Sequence, residues 1–405
     1  MIKVFRRITV LSTLGLLTAC ADGEPPLKNS TLFTTQFYSH SAILLESDPT
    51  QLQAFGLNTS GQLGNGATSN QQTSPVLVKL PASVPINAGP VSIGGSHTLV
   101  VGTDNNVYAW GSNTTGQLGD AAGTTPRTSP GRVTDLTNNI SEVAAGGSHS
   151  LALQKVGTVT TVWAWGSNSS GQLGVALTTT DTHKPRAVAD LGITTSKIAA
   201  GGAHSLALDS TGTVRAWGDN SHKQLGSAVP AAPHMPVVVD GVSGITRIAA
   251  GGSHNLALKD DGTVWAWGGN RFGQLGNNSV DDKGVSTPVP VIFPGKPPEV
   301  KATAIAAGTT HSLARMDDGT VWAWGHNLAG QLGIGSTVDS HIPVKVSINN
   351  VAVKDVMELV VVGGHHTIVR KMSDGKFLAW GYNEYGQLGD GTTTNRHEPV
   401  AITLQ

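Results

Sequence analysis

Cysteine is almost missing from this chain: Cys20 is the only one among 405 residues. No intrachain disulfide can form and no set of thiolates can hold a metal, so packing and hydrogen bonds must carry the fold. Charged residues amount to only 13 % and aromatic residues to 5 %, a poor composition for coiled coils or long solvated helices. The apolar stretch Ile8–Leu17 is too short to span a bilayer. The formal net charge is −1, and setting aside Lys3, Arg6 and Arg7 takes it to −4. No basic stripe remains to neutralise a phosphate backbone, so nucleic acid is not an expected partner. Phosphate loops, clustered metal ligands and Ser-His-Asp spacings are likewise missing, so the chain reads as a non-enzyme needing no cofactor and no metal.

What the sequence has is repetition. Trp-Gly-x-Asn-x-x-Gly-Gln-Leu-Gly recurs seven times, beginning at Phe55, Trp110, Trp165, Trp217, Trp267, Trp324 and Trp380. A fixed long period means that each copy buries its apolar face only against its neighbours. Every copy holds four apolar runs. The first resembles Ile198-Ala199-Ala200; the second follows a glycine turn, as in His149-Ser150-Leu151-Ala152-Leu153. A hairpin signal such as Asp261-Gly262 leads to the third, Val264-Trp265-Ala266-Trp267. The fourth is marked by Pro75, Pro130, Pro185, Pro236, Pro288, Pro343 and Pro399, read here as the first residue of an outer-edge strand. The expected fold is all-β: a seven-bladed propeller of four-stranded antiparallel blades. Because the chain ends on a fourth run, the C-terminal strand is expected to complete the N-terminal blade and so lock the ring.

The pairing of Gly-Gly-x-His-Ser-Leu-Ala-Leu with this motif resembles the repeat of the regulator of chromosome condensation family over residues 31–405. The resemblance implies a propeller that uses one face to bind proteins. Family members include a guanine-nucleotide exchange factor for a nuclear GTPase, a plant ultraviolet-B photoreceptor and a secreted bacterial β-lactamase inhibitor. The photoreceptor carries Trp and Arg in the turn before the repeated His. Here that turn holds Ser39, Ser96, Ser148, Ala203, Ser253, Thr310 and His365, so light sensing is not expected.

The N-terminus supplies a second signal. Met1–Arg7 is basic, Ile8–Leu17 is apolar, and Leu17-Thr18-Ala19-Cys20 resembles a bacterial lipobox, in which the Cys becomes the lipidated first residue. A buried core cysteine is the simpler alternative, but the only Cys of the chain falls at this spot. The expected organisation is a lipoprotein signal peptide at 1–20, a linker at 21–30 and the propeller at 31–405. The protein would then sit in the bacterial envelope, favouring the outer membrane, with Cys20 as its only membrane contact.

The repeated polar residues read as structure. His40, His97, His149, His204, His254, His311 and His366 occur once per copy, so they lie on a ring and share no metal. His183, His234, His341 and His397 stand two residues before a repeat Pro, where other copies have Thr or Ser, a hydrogen-bonding position. Asn58 and its six equivalents read as turn residues bonding nearby backbone. The Trp residues, including Trp163, Trp265 and Trp322, read as core between blades.

The positions that the repeat leaves free carry the functional signal. After Trp-Gly, copies 1–3 have residues such as Thr59, Thr114 and Ser169, whereas copies 4–7 have Asp219, His222, Lys223, Arg271, Phe272, His326, Leu328, Tyr382, Glu384 and Tyr385. Aromatics and Arg are the usual anchors of protein interfaces, and sevenfold packing does not require them in consecutive copies. Drift of exposed loops is the bland explanation. The expected function is a non-enzymatic, membrane-tethered scaffold that binds an unidentified protein through this face. An envelope enzyme or glycan-binding protein is the alternative, although Asp219 and Glu384 fall in copies 4 and 7, with no partner that the sequence can place nearby. A GTPase exchange-factor-like regulator is a third reading, and it would require an intracellular protein.

Overall fold

In the computed structural model the described residues are 32–34, 40–44, 51–81, 91–121, 123–136, 138–175, 180–189, 191, 194–227, 234–349, 351–371, 373–402 and 404. Residues 1–31, with the expected signal peptide, Cys20 and linker, lie outside them. Seven antiparallel blades follow one another along the chain. Blade 3 shows the plan: Ile140–Ala145, His149–Val156, Val159–Gly166 and Thr182–Ala187 run from hub to rim, each paired antiparallel with the next. The innermost strands of successive blades stand side by side around the hub. Blade 1 contributes His40–Leu44, Leu52–Asn58 and Ser69–Leu77, while Leu32–Thr34 lies at the hub and pairs in parallel with Val91–Ile93 of blade 2.

The repeat motif acts as a rivet between blades. Its Asn Oδ1 accepts the backbone N–H of the motif Leu, five residues on, at 2.9–3.1 Å in all seven copies. Its Gln Oε1 accepts the backbone N–H two residues before it, at 2.8–3.0 Å. The loop so shaped presents the Gln carbonyl to the next blade. There the fully buried Trp donates its indole N–H to that carbonyl, at 2.8–3.0 Å, in Trp110, Trp165, Trp217, Trp267, Trp324 and Trp380. Phe55 takes the Trp place in blade 1 and packs against Gly389 of blade 7.

The seven ring histidines do the structural work expected of them. Each Nε2 meets a side chain of the next blade: His40 to Thr98, His97 to Ser150, His149 to Ser205, His204 to Asn255, His254 to Ser312, His311 to Thr367 and His366 to Ser41, at 2.7–3.2 Å. In six of these pairs the partner already donates to the Gln carbonyl of the loop below. A hydroxyl that has donated its only hydrogen must accept from histidine, as must the Asn255 oxygen. In these six pairs the imidazoles are therefore neutral Nε2–H tautomers. Burial enforces this, lowering the pKa of His40, His97, His149, His254 and His366 to about 3.

Four expectations need correction. First, the ring does not close by strand exchange. Arg396–Ile402 pairs with Phe377–Gly381 and completes its own blade 7. Closure uses the contacts of the other joints without the indole bond, which Phe55 cannot make: Ser41 donates to the Gln387 carbonyl and bonds His366, Gly391 N–H donates to the Thr73 carbonyl, and one apolar cluster joins Phe55 and Ile43 to Ile368, Leu388 and Ile402. Second, the repeat prolines do not begin their strands. Pro130 lies inside Arg127–Arg132, where register shifts between Ala109↔Gly131 and Gly111↔Arg127, and an irregular edge has no use for its missing N–H. Third, Trp163 and Trp265 are only partly buried, unlike Trp322: Trp163 donates to Gln154 and the Lys259 ammonium lies over Trp265. Fourth, the rim histidines bear out a hydrogen-bonding position only in part. His183 bonds the Gly123 carbonyl, whereas the buried Nδ1 of His234 has no partner.

Candidate protein-binding face

The loops after each Trp-Gly are fixed by the motif's own Asn and Gln, which leaves the remaining side chains free to project. In blades 5, 6 and 7 they form, together with His365 from the turn before His366, one continuous series. Arg271 lies over the Phe272 ring at 5.7 Å, and Phe272 meets His326 with centroids 4.4 Å apart. His326 stands edge-on to His365 at 6.0 Å, His365 to Tyr382 at 6.5 Å, and Tyr382 to Tyr385 at 6.3 Å. Edge-to-face contacts at these separations are favourable because a ring's positive edge meets its neighbour's negative face. Phe272, His326, His365, Tyr382 and Tyr385 are all half-buried, and Arg271 and Glu384 are exposed.

Electrostatics keep the series neutral at its centre. His326 Nδ1 accepts from the Gln331 amide at 3.0 Å, so its proton sits on Nε2. Burial lowers the pKa of His326 against the opposing pull of Asp339, and it lowers that of His365 to about 4, with His326 adding to the effect. The Tyr382 hydroxyl donates to Glu384 at 2.6 Å; burial first, and then this bond, push its pKa up. Apolar surface lies alongside: Leu328 is 73 % exposed and Val338 71 % exposed, both held beside Asn327, whose Nδ2 donates to the Val338 carbonyl.

The blade 4 residues are engaged differently. The Asp219 carboxylate accepts from Ser221 and from the Gln224 amide, so it shapes its own loop. His222 is exposed and its Nδ1 meets Ser221. Lys223 stands where other copies have the Gly before the motif Gln and takes that glycine's left-handed backbone, φ 67°. His365 was not among the candidate residues. Its signal was present: it is the one aromatic in a turn position otherwise filled by Ser, Ala or Thr, and only its placement between His326 and Tyr382 gives it meaning. Among the described residues no group of three His, Cys, Asp or Glu side chains is placed to hold a metal ion.

The chain is thus an all-β, seven-bladed propeller whose loop face carries its aromatic residues unevenly. The family is set by the repeat itself: residues 51–405 match the RCC1-like domain, and the chain belongs to that family. It is 34 % identical over 370 residues to the probable E3 ubiquitin-protein ligase HERC6 of Homo sapiens, covering 90 % of this chain but 29 % of that protein. It is 31 % identical over 315 residues to the ultraviolet-B receptor UVR8 of Arabidopsis thaliana, covering 77 % of this chain and 69 % of the receptor. Among solved structures, Prp20p of Saccharomyces cerevisiae, described with its binding to Gsp1p and histones, superposes with a TM-score of 0.75 at 25 % identity, covering 88 % of this chain and 86 % of that one. Human WBSCR16 shares the fold with a TM-score of 0.74 at 24 % identity, covering 86 % and 93 %.

Proposed function

We propose that this chain is a non-catalytic propeller that binds another protein through the face formed by the loops of blades 5–7, tethered to a bacterial envelope by lipid on Cys20. The observation that carries the reading is the unbroken ring series from Phe272 to Tyr385, since the equivalent loops of blades 1–3 hold Leu57 and otherwise Ser and Thr, with no aromatic residue. Half-exposed aromatics flanked by Arg271 and by aliphatic side chains are what interface anchors require. Two acyl chains at Cys20 would anchor stably, and the linker at 21–30 would reach about 35 Å when extended. The Prp20p likeness supports protein binding in general.

The test is affinity capture from the envelope fraction, comparing the wild type with a Phe272→Ala, Tyr382→Ala, Tyr385→Ala variant. A protein retained by the first and lost by the second supports the face; equal retention rejects it. Metabolic labelling with palmitate, lost in Cys20→Ala, tests the anchor. If labelling fails and the protein proves intracellular, the resemblance of the repeat to the regulator of chromosome condensation family makes GTPase nucleotide exchange the second reading, checked by release of a fluorescent GDP from candidate GTPases.

A further inference from the structure

The blade 7 end of the ring series has a chemistry that the rest lacks. Tyr382 and Tyr385 stand with rings 6.3 Å apart and 68° to one another, and Glu384 lies between them in the chain. One Glu384 oxygen accepts a short hydrogen bond from the Tyr382 hydroxyl, which holds the carboxylate beside the rings and makes the phenol more electron-rich. Among the described residues no Lys or Arg side chain forms an ion pair with Glu384. Two inclined aromatic faces and an exposed carboxylate are complementary to a cation. The chain already makes such a contact at the other end of the series, where the Arg271 guanidinium covers Phe272. On the neighbouring blade, Leu328 and Val338 offer aliphatic surface with no charge of their own.

We propose that the corner formed by Tyr382, Glu384 and Tyr385 receives an arginine or lysine side chain of the partner protein, while an apolar residue of the same segment covers Leu328 and Val338. This rests on the reading of blades 5–7 as the protein-binding face and states what that face selects. The equivalent positions of blades 1–3, Thr59, Thr114 and Ser169 where blade 7 has Glu384, offer neither charge nor rings.

The experiment is selection of a displayed library of random linear peptides on the full chain in detergent micelles, followed by titration of the best synthetic peptide. The expected pool is rich in Arg or Lys close to Leu, Ile or an aromatic residue. Glu384→Gln, an exposed change that leaves an acceptor for the Tyr382 hydroxyl, should weaken the best peptide about tenfold. Replacing the peptide's basic residue with Gln should weaken wild-type binding similarly and cost little further against Glu384→Gln. A pool without basic enrichment, or affinity indifferent to Glu384→Gln, overturns the cation receptor; if binding is still lost in the triple aromatic variant, the face itself stands. Peptides that bind the triple variant as well as the wild type, or no enrichment at all, overturn both.

Discussion

A lysine in a glycine's place shows how individual residues report on this fold. At the equivalent joint between blades 5 and 6, a Cβ on Gly273 would lie 2.5 Å from the His341 Cα, so that loop has no room for a side chain, and its φ is +76°. Lys223 occupies the same motif position with φ 67° and stays exposed, which means that the facing strand of blade 5 leaves space. The backbone strain nevertheless remains, since left-handed geometry costs an L-residue about 1–2 kcal/mol. Lys223→Gly should therefore raise stability by up to about 1 kcal/mol, after the extra entropy of glycine in the unfolded chain is subtracted. Gly273→Ala should lower it. Chemical denaturation of the two variants checks both signs, and a destabilised Lys223→Gly would mean that the lysine side chain itself contributes to the fold.

At the scale of one element, the loop that follows each Trp-Gly serves twice. Its Asn, Gln, Leu and Gly residues fasten it to its own blade and to the next, and its remaining positions face solvent. The fastening is redundant. The Gln172 carbonyl accepts from both the Trp217 indole and the Ser205 hydroxyl. Trp217→Phe, which imitates blade 1, should cost only about 1–2 kcal/mol, because the carbonyl keeps one donor. Trp217→Ala should cost about 3–5 kcal/mol through the cavity it opens. Equal losses in urea titrations would show that the indole N–H, rather than the ring volume, is what matters. The fastening half of the loop was legible because its residues recur in every copy. The solvent-facing half was legible only as an imbalance between copies, and its membership was not. Asp219 looked like a surface charge but caps its own loop, while His365 belongs to a different segment and enters the series only because blade 7 brings its turn beside Tyr382.

Across the whole molecule the seven joints share the histidine contact, and the closing joint differs from the rest in having Phe55 where the others have an indole donor. Ser41→Ala leaves the His366 Nε2–H without its acceptor at the seam between blades 7 and 1, just as Ser205→Ala does for His149 within the ring. Both should cost about 1–3 kcal/mol, the penalty of an unpaired buried donor. A much larger loss at Ser41, seen by thermal melting, would show that the seam is the weak point of the ring. The same histidines set the response to acid. Each is neutral in the fold, with its pKa lowered by burial from 6.5, to about 3 in five of them. The unfolded chain titrates near 6.5, so below that pH it binds protons that the folded chain refuses. Stability is therefore complete above about pH 6.5 and falls as the pH drops, by about 1.4 kcal/mol per pH unit for each histidine. With seven acting together, the disc should unfold well above pH 3, in a steep transition that circular dichroism would follow. A fold that persists unchanged to pH 3 would contradict the buried neutral ring.

The sequence alone determined the number of blades, the order of strands within them and the structural role of the residues present in every copy, because a feature repeated seven times is visible without any knowledge of contacts. Only the tertiary structure decided how the ring closes and which free residues meet. Closure depends on which strand pairs with Phe377–Gly381, and the C-terminal run would have had the same composition in either arrangement. The ring series depends on side chains from Arg271 to Tyr385 converging across three blades, and adjacency between distant segments leaves no periodic trace along the chain.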